Sequence, residues 1–279
     1  MSGERRRAEV YPRRSVTVPR DILRIGGVPY GLGAPLLSGL AEDPGVALVR
    51  TAPARLVTQL REGELDAALV SSIEGARRPG YAALEGLGIA CSGPVRSVRA
   101  FRRRAATHIA SVALTDESES SVALLRILLA QTGELAADCA FERVPSTRSP
   151  AALPHDLVLL IGDDGLRAEA GEREAIDLGE RWFARTGLPF VFALWLIAPG
   201  RDVARVAARL AAAGRVAAAI VPSEGEARVH YALGAAEHRG LERFWDEAAA
   251  LGLCDAACRP SFVSPRRPHD DVADARGRR

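Results

Sequence analysis

At 279 residues the chain is long enough for one large domain or for two lobes of ordinary size with a substantial core. Apolar residues make up 48% and charged residues 26%, and a formal charge of +2 gives bulk electrostatics no reason to expect nucleic acid. All 37 basic residues are arginine, which excludes a Schiff-base lysine and with it an internal pyridoxal-phosphate site.

The four cysteines, Cys91, Cys139, Cys254 and Cys258, are few and irregularly spaced. That argues against a disulfide framework and suits a reducing compartment. Cys254 and Cys258 can share a helical turn and so resemble half a metal site. No nearby histidine or second cysteine pair completes it, so neither metal nor cofactor is expected. There is no run of 18 apolar residues, and no membrane span is expected. The first residues, MSGERRRAEVYPRRS, lack the apolar stretch of a secretory signal, and a cytoplasmic location follows as the expectation. Residues 1–20 read as a mobile basic arm and residues 263–279 as a disordered tail, both solvated rather than bound to nucleic acid.

Between these tails strands and helices alternate. Ile22–Ile25 reads as a short strand leading into the turn Gly26–Pro35, which is rich in glycine. Its pattern is not G-x-G-x-x-G, but its backbone can approach a ligand closely. Pro53–Arg61 has Leu56, Val57 and Leu60 on one helical face, with Gly63 closing the helix. Leu65–Val70 is a buried strand, and Ser71-Ser72 opens the next helix. Val112–Leu114 and Asp156–Ile161 are further buried strands, each followed by a turn and a helix. Val203–Ala213 and Gly240–Leu251 are amphipathic helices, the second with Leu241, Phe244, Trp245 and Ala248 on its inner face. This alternation predicts an α/β fold with parallel sheets, in which ligands bind beyond the carboxyl ends of the strands. Three such ends carry small polar residues: Ser71-Ser72, Thr115–Ser121 and Gly162–Asp164. They are expected to face one cleft.

In Thr115–Ser121, three serines, one threonine and three acids fall within seven residues. A helix cap by Asp116 with Glu119, or by Ser118, accounts for part of this, and a carboxylate held at the helix start accounts for the excess. Ser71-Ser72 reads either as a cap or as a second anion site, and two such sites in one cleft suit a small dicarboxylate. Gly162–Gly165 lacks both EF-hand spacing and a P-loop lysine, and reads as a helix-start turn lining the cleft. His108, His155, His230, His238 and His269 fall in none of these turns, so no Ser-His-Asp or Cys-His pairing can be argued and no catalytic residue is assigned.

Six stretches resemble the chorismate dehydratases of menaquinone biosynthesis, the MqnA/MqnD family. They are RIGGVPYGLGAPLLSGL (24–40), LREGELDAALVSSIEGAR (60–77), GPVRSVRAF (93–101), ALTDESESSVALLRILL (113–129), DLVLLIGDDGL (156–166) and IDLGERWFARTGLPFVFALW (176–195). A weaker likeness continues through VHYALG and GLERFW to about Leu253. The resemblance implies a type II periplasmic-binding-protein fold with two α/β lobes and a ligand cleft between them. The lobes would be residues 21–100 plus 189–262 and residues 101–188, joined by crossovers at Gly93–Phe101 and Leu188–Trp195. The implied reaction dehydrates chorismate to 3-[(1-carboxyvinyl)oxy]benzoate on the futalosine route, with a small-molecule substrate, no nucleic acid and no membrane as partner, and the oligomeric state left open.

By the same resemblance, Tyr30, Ser71, Ser72, Ser97, Thr115, Ser120, Ser121, Gly162 and Asp163 would bind the substrate, with the hydroxyls gripping its carboxylates. The resemblance supplies no protein base, so the substrate's own enolpyruvyl carboxylate is expected to take the proton. In one place the chain departs from the family. The opening turn, typically SYLNTAP, is PYGLGAP here (29–35), and Leu32 stands where the family has a cleft asparagine. The alternative reading is therefore a cytoplasmic binding protein for a small dicarboxylate, diverged or without the chemistry.

Overall fold

The computed structural model describes residues 22–28, 31–114, 118–145, 147–220 and 228–265. The expected basic arm at 1–20 lies outside these residues, as does the expected tail beyond Pro265.

The chain begins with β1 (Leu23–Gly27), α1 (Ala34–Ala41), β2 (Val46–Arg50), α2 (Pro53–Arg61), β3 (Ala67–Ser71) and β4 (Ala82–Cys91). β1 pairs in parallel with both β2 and β3, as helical crossovers require. α2 occupies the span its periodicity predicts. Proline at its first turn gives up an N–H that had no helical partner, and Leu56 and Leu60 are buried beneath it. After β3 the chain forms a five-residue 3-10 turn, Ser72–Ala76, in place of the expected regular helix.

The chain then passes through Ser92–Ser97 into a second sheet. There it builds β5 (Val98–Arg102), β6 (Ile109–Leu114), α3 (Glu119–Ala130), β7 (Leu135–Arg143), β8 (Leu157–Ile161), α4 (Gly162–Arg167), β9 (Glu174–Asp177) and α5 (Leu178–Thr186). The strand order is β7-β6-β8-β5-β9. It returns through Gly187–Pro189 to β10 (Phe190–Ile197), α6 (Val203–Ala218), β11 (Val229–Ala232), α7 (Ala235–Ala250) and β12 (Ser261–Val263). β10 lies between β3 and β4 in a seven-stranded first sheet.

Two sheets, each covered by helices, give two α/β lobes. Neither sheet is all-parallel, which corrects the sequence expectation. β10 runs antiparallel to β3 and β4, and β5 runs antiparallel to β8 and β9. The cause is the crossing itself. β3 and β8 end at the cleft, and a strand arriving from the other lobe starts there, so it must run back along them: Ser71 pairs with Ala193, and Ile161 with Val98. β5 falls wholly within the second sheet, so the strands change sheet a few residues before the expected boundary at residue 100. Val263, expected in the tail, closes β12 against β4.

An aromatic cluster fixes the return crossover. Trp182 of α5, Phe190 of β10 and Phe244 of α7 are fully buried, with ring centroids 4.8–6.5 Å apart in edge-to-face arrangements. The Trp182 indole N–H donates to the Pro189 carbonyl at 3.3 Å. The inner face of α7 is Leu241, Phe244, Trp245 and Ala248, as its periodicity predicts. Cys254 and Cys258 lie in the turns after α7 rather than on a helix, and the four cysteines are free thiols. No helix among the described residues is long and apolar enough to cross a membrane.

Candidate functional site

The three polar strand ends line one cavity of about 360 Å³ between the two sheets. β3 ends on Ser71, α3 brings Ser118 and Ser121, and the step from β8 to α4 brings Gly162 and Asp163. The outgoing crossover adds Ser97. The remaining wall is apolar: Val28, Leu69 and Phe192 on the first lobe, Val95 on the crossover, and Ile161 and Leu166 on the second lobe.

Three hydroxyls form a chain across the lobes. Ser118 caps α3, its Oγ accepting the Ser121 N–H at 3.4 Å and the Ser121 hydroxyl at 3.1 Å. Ser71 Oγ approaches Ser118 Oγ at 3.5 Å from the other side. The first turn of α3 directs N–H groups that have no partner within the helix toward the same place, with the positive end of the helix dipole behind them. Asp163 is the only ionisable side chain lining this cavity among the described residues. Negative charge on a ligand would therefore be met by hydroxyls and a helix start rather than by arginine.

Local sequence explains how α4 reaches the cavity. Gly162 adopts φ +64°, a left-handed step out of β8 that a side chain disfavours. At Gly165 a Cβ would stand 2.4 Å from the Ser97 carbonyl and 2.7 Å from that of Leu160, so only glycine lets α4 pack this close to the sheet. Arg99 then fixes the far end of α4, donating to the carbonyls of Gly165 at 2.7 Å and Ala168 at 2.8 Å.

The expected site residues divide into three groups. Ser71, Ser97, Ser121, Gly162 and Asp163 come together at the cavity. Ser72 and Ser120 are not brought to it. The Ser72 hydroxyl donates to the Val191 carbonyl at 2.6 Å and meets Ser120 Oγ at 3.0 Å, while Ser120 Oγ accepts the Ile73 N–H at 3.1 Å. Both are fully buried and pin α3 to β10 and to the turn after β3. Tyr30 and Thr115 lie outside the described residues. Leu32 lines the cavity, half-buried against the core. Ser118, Val95 and Phe192 line it too, although sequence reasoning singled out none of them as ligand contacts. For Ser118 the signal was present, in a segment holding more hydroxyls than a cap needs.

A second cavity of about 290 Å³ adjoins the first through Ser71 and Pro53 and is lined by Arg61, Glu74, Arg77, Glu119 and Arg143. Buried Glu74 accepts two bonds from Arg61, at 2.6 and 2.8 Å, and one from the Tyr81 hydroxyl at 3.1 Å. Arg77 of the first lobe donates to Glu119 of the second at 2.9 Å, and Arg143 also pairs with Glu119. Burial alone would raise the Glu119 pKa, but its bonds to Arg143 and Arg77 outweigh burial and hold it below the usual carboxylate value. On β4, outside both cavities, burial first and Asp177 second push the Cys91 thiol up to about 12.

Residues 23–249 match the family model for menaquinone biosynthesis. The chorismate dehydratase of Thermus thermophilus is 36% identical over 191 residues, which is 60% of this chain and 69% of that protein. Among solved structures, protein AF1704 of Archaeoglobus fulgidus superposes with a TM-score of 0.59 at 14% identity, over 85% of this chain and 100% of that one. The periplasmic aliphatic sulphonate binding protein SsuA of Escherichia coli gives 0.56 at 15% identity, over 88% and 95%. A Candida albicans protein described as having the generic periplasmic binding protein fold gives 0.54 at 10% identity, over 89% and 99%. The fold is therefore that of the periplasmic binding proteins, a likeness of architecture that by itself assigns no ligand.

Proposed function

We propose, because this chain belongs to the menaquinone biosynthesis family, that its interlobe cavity takes chorismate and that the protein is a hydro-lyase. The product is 3-[(1-carboxyvinyl)oxy]benzoate. The observation that carries this reading is the hydroxyl chain Ser71–Ser118–Ser121, drawn from both lobes at the start of α3 in a cavity otherwise almost wholly apolar. Hydroxyls and helix N–H groups suit a carboxylate, and the apolar wall suits a ring that becomes aromatic. The hydroxyls of Ser71 and Ser121 hold the substrate carboxylates, away from the Asp163 side chain. Ser97 and the backbone at Gly162 complete the grip. Leu32 extends the apolar wall of Val28, Leu69 and Phe192 over the ring.

In the reaction the ring C–H beside the ether oxygen and the neighbouring C–OH bond both break, and the electrons left behind complete the aromatic ring. The substrate's own enolpyruvyl carboxylate, fixed close to that C–H, takes the proton and gives it to the departing hydroxide, so that one water leaves and the carboxylate is restored. The cavity's part is to hold that geometry and keep bulk water out. A cytoplasmic location goes with this reading, as the sequence leads one to expect.

The test is incubation of purified protein with chorismate, with products followed by chromatography and mass detection. Loss of one water above the no-protein control is the expected result. Unchanged chorismate, with the protein shown to be folded, overturns the reading.

A further inference from the structure

The outgoing crossover makes one step that L-amino acids avoid. Arg96 sits at φ +60°, the only non-glycine residue with positive φ among the described residues. Asp177 lies against this step from the start of α5. Its carboxylate accepts the Val95 N–H at 3.1 Å, the Arg96 N–H at 2.6 Å and the Glu180 N–H at 3.0 Å. Only the last of these is the ordinary bond of a helix cap. The other two reach 82 and 81 residues back along the chain. α5 is packed hard onto the crossover here, since a Cβ at Gly179 would stand 2.7 Å from the Gly93 carbonyl. The residue after Arg96 is Ser97, 5% exposed, in the wall of the ligand cavity, with a hydroxyl that has no hydrogen-bond partner among the described residues. A buried hydroxyl left unpaired beside a cavity is expected to find its partner in the ligand.

The geometry points to Asp177 as a positioning residue: by holding the Val95 and Arg96 N–H groups it keeps Arg96 left-handed, and that turn aims the Ser97 hydroxyl at the substrate. Asp177 itself does not line the cavity. This role rests on the chorismate reading of the same cavity.

A double-mutant cycle on chorismate dehydration tests it, using wild type, Ser97→Ala, Asp177→Asn and the double variant, each checked by thermal melting. Asparagine is as good a helix cap as aspartate but presents a single acceptor oxygen to the crossover. Ser97→Ala loses a hydrogen bond to a charged ligand and should lower kcat/KM about 10-fold or more. Asp177→Asn should lower it in the same direction, with the same division between KM and kcat. The double variant should lose no more than the worse single variant, because both changes remove one contact. Losses that multiply, or an Asp177→Asn kcat/KM within about twofold of wild type, overturn the role and leave the chorismate reading standing. If Asp177→Asn does not fold, Asp177→Glu, which keeps the charge and displaces it, carries the same cycle with the same criteria. A folded wild type that leaves chorismate unchanged removes the reading, and this role with it.

Discussion

Ser71 and Ser72 are adjacent and chemically identical, and so are Ser120 and Ser121, yet each pair is divided between two tasks. Ser71 and Ser121 face the cavity, whereas Ser72 and Ser120 bond to each other behind it. The division follows from backbone geometry. Consecutive side chains at a strand end point to opposite faces, and consecutive residues of a helix are rotated by about 100°. One neighbour is thereby committed to the ligand and the other to the seam between lobes. A hydroxyl's chemistry does not set its role here; its residue parity does.

That contrast is open to direct attack. The largest effect is expected from Ser71→Ala with Ser121→Ala. Two hydrogen bonds to a charged ligand are lost, and kcat/KM for chorismate should fall by about 10²–10⁴. The melting temperature should hardly move, because Ser118 still caps α3 through the Ser121 N–H. Normal turnover in this variant would remove both residues from the site.

Ser72→Ala should do the reverse. It strips a partner from the Val191 carbonyl and from Ser120, costing about 1–3 kcal/mol of stability and several degrees of melting temperature while KM stays put. Ser120→Ala leaves the Ser72–Val191 bond in place but orphans the buried Ile73 N–H, and should cost a similar amount, about 1–3 kcal/mol. A rise in KM from either change, with stability intact, would erase the distinction between the two groups.

The smallest effect concerns Glu119, which immediately precedes Ser120 and ties α3 to Arg77 of the other lobe. Its folded pKa is lowered from 4.5, so the stability it contributes is complete above that value and is lost as pH falls through the lower, folded value. Wild type should therefore melt above Glu119→Gln at pH 6, and the gap should close as the pH is taken down from 4.5 through the lower, folded value. A gap that persists at low pH would mean that packing, not charge, is what Glu119 supplies.

Much of the architecture was legible where one element decided its own shape. Pro53 and the Leu56–Leu60 spacing fix α2, and the apolar runs before Ser71 and Gly162 fix β3 and β8. β4 went unread because Glu85, Gly86 and Gly88 break its apolar run, and β7 because LAADCAFER has no clean alternation. The direction of β10 could not be read at all, since it depends on where the chain re-enters the first lobe. The site was legible as a set of turns but not as a set of side chains. Ser72 and Ser120 carry the same letter as the residues beside them. Asp177 sat within a motif, but its contact with Val95 and Arg96 exists only in space.

The place of β10 also has a consequence for how the chain comes to be folded. All five strands of the second sheet are drawn from one unbroken stretch, Val98 to Asp177, while β3 and β4 are joined only by β10 between them. During synthesis the later lobe has its complete set of strands while the earlier one still waits for Phe190–Ile197, leaving β3 with an open, aggregation-prone edge. The lobe that is made first is therefore finished last, and the strand that joins its two halves is delivered by the other.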